Sequence, residues 1–217
     1  MKSILSASLL VLAFVSLAGA SPIVCATNEN LQQIIDAGGC TYGDLLFNNV
    51  VYQDNVIAGS PSTFTASQVT VVMGTPNVIS INAGWSTRGS QHMQIVFNYT
   101  VTSTNAPITA LSSNTSPTGP NATYTATCTS GCPGSPLDFT NPSNPNGVAL
   151  VPEVAAGTPI NIHNLVNLGA SAIGTVNHVS IISNQIFEGT ASPEPGTIGL
   201  LFAGAMALAG ARFCKKA

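Results

Sequence analysis

From Leu46 to Tyr52 the chain has a period of two. Leu46, Asn48, Val50 and Tyr52 fall on one side, and Phe47, Asn49 and Val51 on the other. That is the period of a β-strand, whose successive side chains point to opposite faces. Further runs rich in Val, Ile, Thr and Tyr occupy residues 63–66, 69–73, 78–82, 91–103, 108–112, 122–129, 159–165 and 175–187, separated by Gly, Pro or Asn. Ahead of them Leu31, Ile34 and Ile35 have helical spacing, with Thr27 or Asn28 placed to cap the helix and Gly38-Gly39 to end it. Residues 131–147 hold four prolines and predict a surface loop. Around nine short strands behind one short helix predict an all-β domain. The expected architecture is an antiparallel β-sandwich of jelly-roll or immunoglobulin-like type.

The two ends break this pattern. Lys2 precedes an apolar stretch from Ile4 to Leu17, and Ala18-Gly19-Ala20 fits the small-residue rule for leader cleavage. A signal peptide over residues 1–20 is expected, leaving Ser21 first. Acylation at Cys25 is disfavoured by the bulky Val24 before it. At the other end Pro193-Glu194-Pro195 leads into an uncharged run, residues 196–211, closed by Arg212, Lys215 and Lys216. The 17 residues from Pro195 to Ala211 would form a helix of roughly 25 Å, at the short end of what spans a hydrocarbon core of about 30 Å. Gly199, Gly204 and Gly210 are costly in a soluble helix and tolerated in a membrane one. The terminal cations predict a cytoplasmic C-terminus and an exported remainder.

Tripeptide, short Gly/Ala/Leu helix and basic end together resemble the PEP-CTERM sorting signals of exopolysaccharide-producing bacteria. The resemblance covers Pro193 to Lys216. It implies that an exosortase, a membrane protease-transpeptidase, recognises residues 191–217 and cuts near the tripeptide. Anchoring by the 196–211 helix would then be transient, and the product would reside in the cell envelope or outside the cell. A glycolipid-anchor signal would need an apolar end, against which Arg212, Lys215 and Lys216 count. The stretch from Gly39 to Asn48 is similar to the opening of a group of PEP-CTERM ectodomains, and Val176 to Phe187 to their closing strand. That likeness supports a sandwich and implies no catalytic residues.

Composition narrows the partners of the expected ectodomain, residues 21–190. Seven acidic residues against Arg88 alone leave a formal charge of −6, which repels nucleic acid and anionic membranes. Polarity comes from Asn, Ser and Thr. Three matches to the N-glycosylation pattern, at Asn98, Asn114 and Asn121, are expected by chance in so Asn/Thr-rich a chain. Cys25, Cys40, Cys128 and Cys132 give an even number in an exported domain, the mark of disulfides. Of three possible pairings the local one, Cys25–Cys40 and Cys128–Cys132, is favoured. Cys-x3-Cys spacing can also serve zinc, but an oxidising compartment and the lack of a nearby His in sequence argue against a metal.

Catalytic chemistry is sparse. His92, His163 and His178 are far apart, each in a strand segment, and only His163 and His178 are candidates to meet across paired strands. Asp36 and Asp44 flank the glycine turn, where turn capping by Asp44 is favoured over calcium binding. Trp85, after Gly84 and near Arg88, reads as a turn residue, with a core role favoured over a platform for a sugar ring. No phosphate loop or nucleophile elbow is present, and no cofactor, metal or catalytic residue is implied. The expectation is a structural or adhesive component associated with exopolysaccharide. A carbohydrate-binding module is the alternative, and a secreted glycan hydrolase comes third.

Overall fold

A computed structural model describes residues 22–189, apart from 27, 116 and 141–147. The leader over 1–20 and the tail over 191–217 lie outside the described residues, with the 196–211 helix and Pro193, Glu194, Pro195, Arg212, Lys215 and Lys216. Among the described residues no helix is long and apolar enough to cross a membrane.

The described residues form thirteen strands and one α-helix: β1 (Ile23–Val24), β2 (Glu29–Asn30), α1 (Leu31–Asp36), β3 (Gly39–Tyr42), β4 (Leu45–Ala58), β5 (Thr70–Gly74), β6 (Val78–Arg88), β7 (His92–Ser103), β8 (Ile108–Ser113), β9 (Ala122–Ser130), β10 (Leu137–Asp138), β11 (Val148–Val154), β12 (Ile160–Leu168) and β13 (Val176–Glu188). The fold is all-β, as expected. The first sheet runs β1-β3-β4-β7-β12-β9-β10 and the second β11-β8-β13-β6-β5-β2. Every pairing is antiparallel except β1 with β3. From β6 to β9, and again from β11 to β13, each strand lies in the opposite sheet to the one before it. Strand partners are therefore distant in sequence.

Alternation along the strands builds the core. Met93, Ile95, Phe97, Tyr99 and Val101 of β7 and Ile160, Ile162, Val166 and Leu168 of β12 are buried from one sheet. Ile79, Ile81 and Trp85 of β6 and Val179, Ile182 and Ile186 of β13 are buried from the other, and all join one apolar cluster. Two bulges reset the period. In β13 the register shifts between Val179 and Ile181, so the inward set passes from odd to even positions. In β4 it shifts between Asn48 and Val51, where Asn49 takes a positive φ of 50°. The unbroken alternation expected over 46–52 is thus corrected: Leu45 and Phe47 face the core, and beyond the bulge Tyr52 does.

Other boundaries move for local reasons. Asn30, not Thr27 or Asn28, caps α1. Its Oδ1 accepts from the Gln33 amide at 3.0 Å, while Gln33 Oε1 accepts from the Asn30 amide at 3.2 Å. Gly39 follows the helix at φ 135°, where a Cβ would overlap the Phe47 carbonyl. Residues 63–66 form no strand; Ser62 makes one bridge to Ser86 and a 3₁₀ turn follows at Ala66–Gln68. The strand expected at 78–82 continues through Gly84 to Arg88, so Trp85 is a strand residue rather than a turn residue. Within the expected loop 131–147, β10 pairs with β9.

Candidate functional site

Four strands of the first sheet present an uncharged and mostly polar outward face. Their registers align Asn48, Thr100 and Asn161; then Val51, Asn98, His163 and Thr127; then Gln53, Val96, Leu165 and Thr125; then Asn55, Gln94, Asn167 and Thr123. None of these is Lys, Arg, Asp or Glu. The buried inward neighbours on the same strands are mainly apolar, Asn164 and Ser103 aside, which is why the polar set is held on one side.

At one end of this face the β4 bulge makes a groove of about 320 Å³, lined by Asn49, Asn98, Thr100, Thr129, Asn161 and His163 above Tyr99 and Ile162. The left-handed turn at Asn49 swings its amide over β7, so that Nδ2 donates to Thr100 Oγ1 at 3.2 Å. Thr100 Oγ1 donates to Asn161 Oδ1 at 2.6 Å, and Asn161 Nδ2 donates to Ser130 Oγ. Each donor in this chain orients the next across four strands, β4, β7, β12 and β9. Beside it Asn98 Oδ1 is buried and has no hydrogen-bond partner among the described residues. His163 stands opposite Asn98 on one side and Thr127 on the other.

A second, more open groove of about 500 Å³ is lined by Gln32, Tyr52, Gln53, Asp54, Phe64 and Gln68, among others. Its floor is fully engaged. Trp85 Nε1 donates to the Tyr52 hydroxyl at 2.9 Å, which donates to Asp54 Oδ1 at 2.6 Å, while Asp54 Oδ2 accepts from the Phe64 amide at 2.8 Å. Burial pushes the Asp54 carboxyl above its usual range, although the donors from Tyr52, Phe64 and Trp85 oppose the shift. Burial, and then Asp54, push the Tyr52 phenol well above its ordinary value. The arrangement clamps the segment around Phe64 onto β4.

Trp85 is 0% exposed, packed edge-on against Phe64 with ring centres 6.0 Å apart. A direct sugar contact through Trp85 is therefore ruled out, because its ring has no free face. Both local disulfides are present, Cys25–Cys40 with Cα atoms 5.0 Å apart and Cys128–Cys132 at 6.2 Å. His163 and His178 do not meet. His163 lies on β12 of the first sheet, whereas His178 lies on β13 of the second, paired with Ser86 and bridged to Thr118. His92 is apart from both, opposite Ala58.

Asp44 contributes its carbonyl, which accepts from the Thr104 amide and hydroxyl. Its carboxylate lies near Glu188, whose carboxyl is raised first by burial and further by Asp44, while Ser103 and Asn77 lower it. Asp36 accepts from Gln32 Nε2 at 2.7 Å. Among the described residues no three His, Cys, Asp or Glu side chains gather as a metal site requires. Sequence reading gave no binding role to Asn49, Asn98, Thr100 or Asn161. The signal available was a polar side chain at every second position in 98–100 and 161–163, alternating with Tyr99 and Ile162. No family model matches the chain, and neither does any curated protein or solved structure.

Proposed function

We propose that this is an exported envelope or extracellular-matrix component, delivered by an exosortase through its PEP-CTERM-like tail and acting by contact with exopolysaccharide rather than by catalysis. The observation that carries the reading is the pair of disulfides, Cys25–Cys40 and Cys128–Cys132, which suits an oxidising compartment. It agrees with the leader at 1–20 and with the tail from Pro193-Glu194-Pro195 through the 196–211 helix to Arg212, Lys215 and Lys216. The uncharged Asn/Thr face is the surface that would meet a hydrated polymer. The three histidines stand on separate strands, so the hydrolase reading gains no support from them.

The two sheets make a sandwich whose crossing connections depart from the immunoglobulin order, in which sequence neighbours pair within a sheet. A Greek-key sandwich nearer the jelly roll is the type this order favours.

The test is expression of the full-length chain, tagged in the ectodomain, in hosts with and without an exosortase. Release from the membrane only where the exosortase is present supports the proposal. The same membrane-retained chain in both hosts refutes the sorting assignment.

A further inference from the structure

We infer that the groove between β4, β7 and β12 is a binding site for a neutral sugar residue of a glycan chain. Three observations converge there. The Asn49–Thr100–Asn161–Ser130 chain fixes the Thr100 hydroxyl and both amides in one orientation before any ligand arrives. Asn161 has spent one amide N–H on Ser130 and retains the other. Asn98 Oδ1 is buried without a partner among the described residues, a cost to folding that a ligand hydroxyl donating to it would remove. His163, in register with Asn98, also lines the groove.

Donors and acceptors lining one groove suit vicinal hydroxyls, each of which both donates and accepts. Charge selects the class of glycan. Arg88 is the only Lys or Arg from residue 21 to 190, and it lies on β6 of the other sheet, so phosphate, sulfate or uronate would meet no counter-charge in the groove. At about 320 Å³ the groove is at the small end of ligand sites, fit for a short stretch of chain. Trp85 takes no part. This site rests on the groove alone, and its test reads glycan retention, whereas the sorting proposal reads loss of the tail. Either can fail without the other.

The experiment is affinity electrophoresis of the detergent-solubilised full-length chain through native gels containing dextran, galactomannan or polygalacturonate. Retardation by a neutral polymer and not by polygalacturonate is expected. Asn98→Ala combined with His163→Ala should weaken it by about tenfold, the loss of two polar contacts. The thermal midpoint should not fall, because Asn98→Ala removes an unpaired acceptor. Gln53→Ala, on the same face outside the groove, should leave retention intact. No retardation by either neutral polymer, equal retardation by polygalacturonate, or full retention in the double variant overturns the site. If the double variant fails to fold, side-chain amide resonances of Asn98 and Asn161 decide the matter in the native chain. Shifts on adding oligosaccharides of the retarding polymer support the site, and their absence refutes it.

Discussion

Tyr124 of β9 and Asn184 of β13 join the two sheets through the middle of the core, with Asn184 Nδ2 donating to the Tyr124 hydroxyl at 3.0 Å. The same hydroxyl accepts from Ser113 and donates to Asn164 Oδ1, each at 2.7 Å, while Tyr99 donates to Asn184 Oδ1 at 3.0 Å. All five residues are buried. A buried polar cluster stabilises only when every member is paired, and then it also fixes how two apolar surfaces align.

Tyr124→Phe tests this cluster. Asn184 and Ser113 keep bonds to the Ser183 carbonyl, but Asn164 Oδ1 is left unpaired. The expected loss in urea titration is about 2 kcal/mol, the cost of one orphaned buried acceptor plus a lost bond. Asn184→Ala should cost a similar amount, and the two together less than their sum, because they share a bond. Strict additivity would mean that the residues act independently.

Trp85 is a core residue with a polar handle, its Nε1. Trp85→Ala should destabilise by about 3–5 kcal/mol, as expected for a large buried aromatic. Tyr52→Phe should cost less, about 1–2 kcal/mol, because it removes only the hydroxyl linking Trp85 Nε1 to Asp54. Guanidinium titration of both variants checks the order. Equal costs would contradict the packing role.

The disulfides differ in the loops they close. Fifteen residues separate Cys25 from Cys40, for which chain entropy gives about 3 kcal/mol. Four separate Cys128 from Cys132, for which it gives about 2 kcal/mol. Serine replacement of the first pair should therefore lower the thermal midpoint more than replacement of the second. The reverse order would place the stabilising effect in native packing instead of loop closure.

Acidity should help this fold. The Asp54 and Glu188 carboxyls are both raised in the folded state, each chiefly by burial, above ordinary values of 3.8 and 4.5. A carboxyl with a raised folded pKa binds its proton more tightly when folded. Its contribution is full below the unfolded value and is lost as pH climbs through the folded one. The midpoint should accordingly be slightly higher near pH 5 than near pH 7, and Glu188→Gln should flatten the difference. A midpoint that rises from pH 5 to pH 7 would contradict the assignment.

Much of the fold was legible because strand residues alternate wherever one face is buried. The segments at 91–103, 108–112, 122–129, 159–165 and 175–187 each became a strand with bounds shifted by a few residues at most. The cysteine pairing followed from loop length and parity. Asn49 hid the bulge in β4, since a positive φ at Asn leaves no mark in hydrophobic pattern. Trp85 looked like a turn residue because Gly84 precedes it, yet Gly84 sits inside β6, where pairing with β13 keeps the strand going. The alternating polar side chains at 98–100 and 161–163 were legible, but their assembly into a groove was not. Asn49, Asn98 and Asn161 come from three strands, and only the β4–β7–β12 register brings them together.

Intact-mass spectrometry of the protein recovered from an exosortase-bearing host tests export and sorting most directly. The expected product begins at Ser21, ends near Pro193-Glu194-Pro195, and is lighter than its reduced form by the four hydrogens of Cys25–Cys40 and Cys128–Cys132. A species that retains Arg212, Lys215 and Lys216, or that carries free thiols at the four ectodomain cysteines, would contradict it.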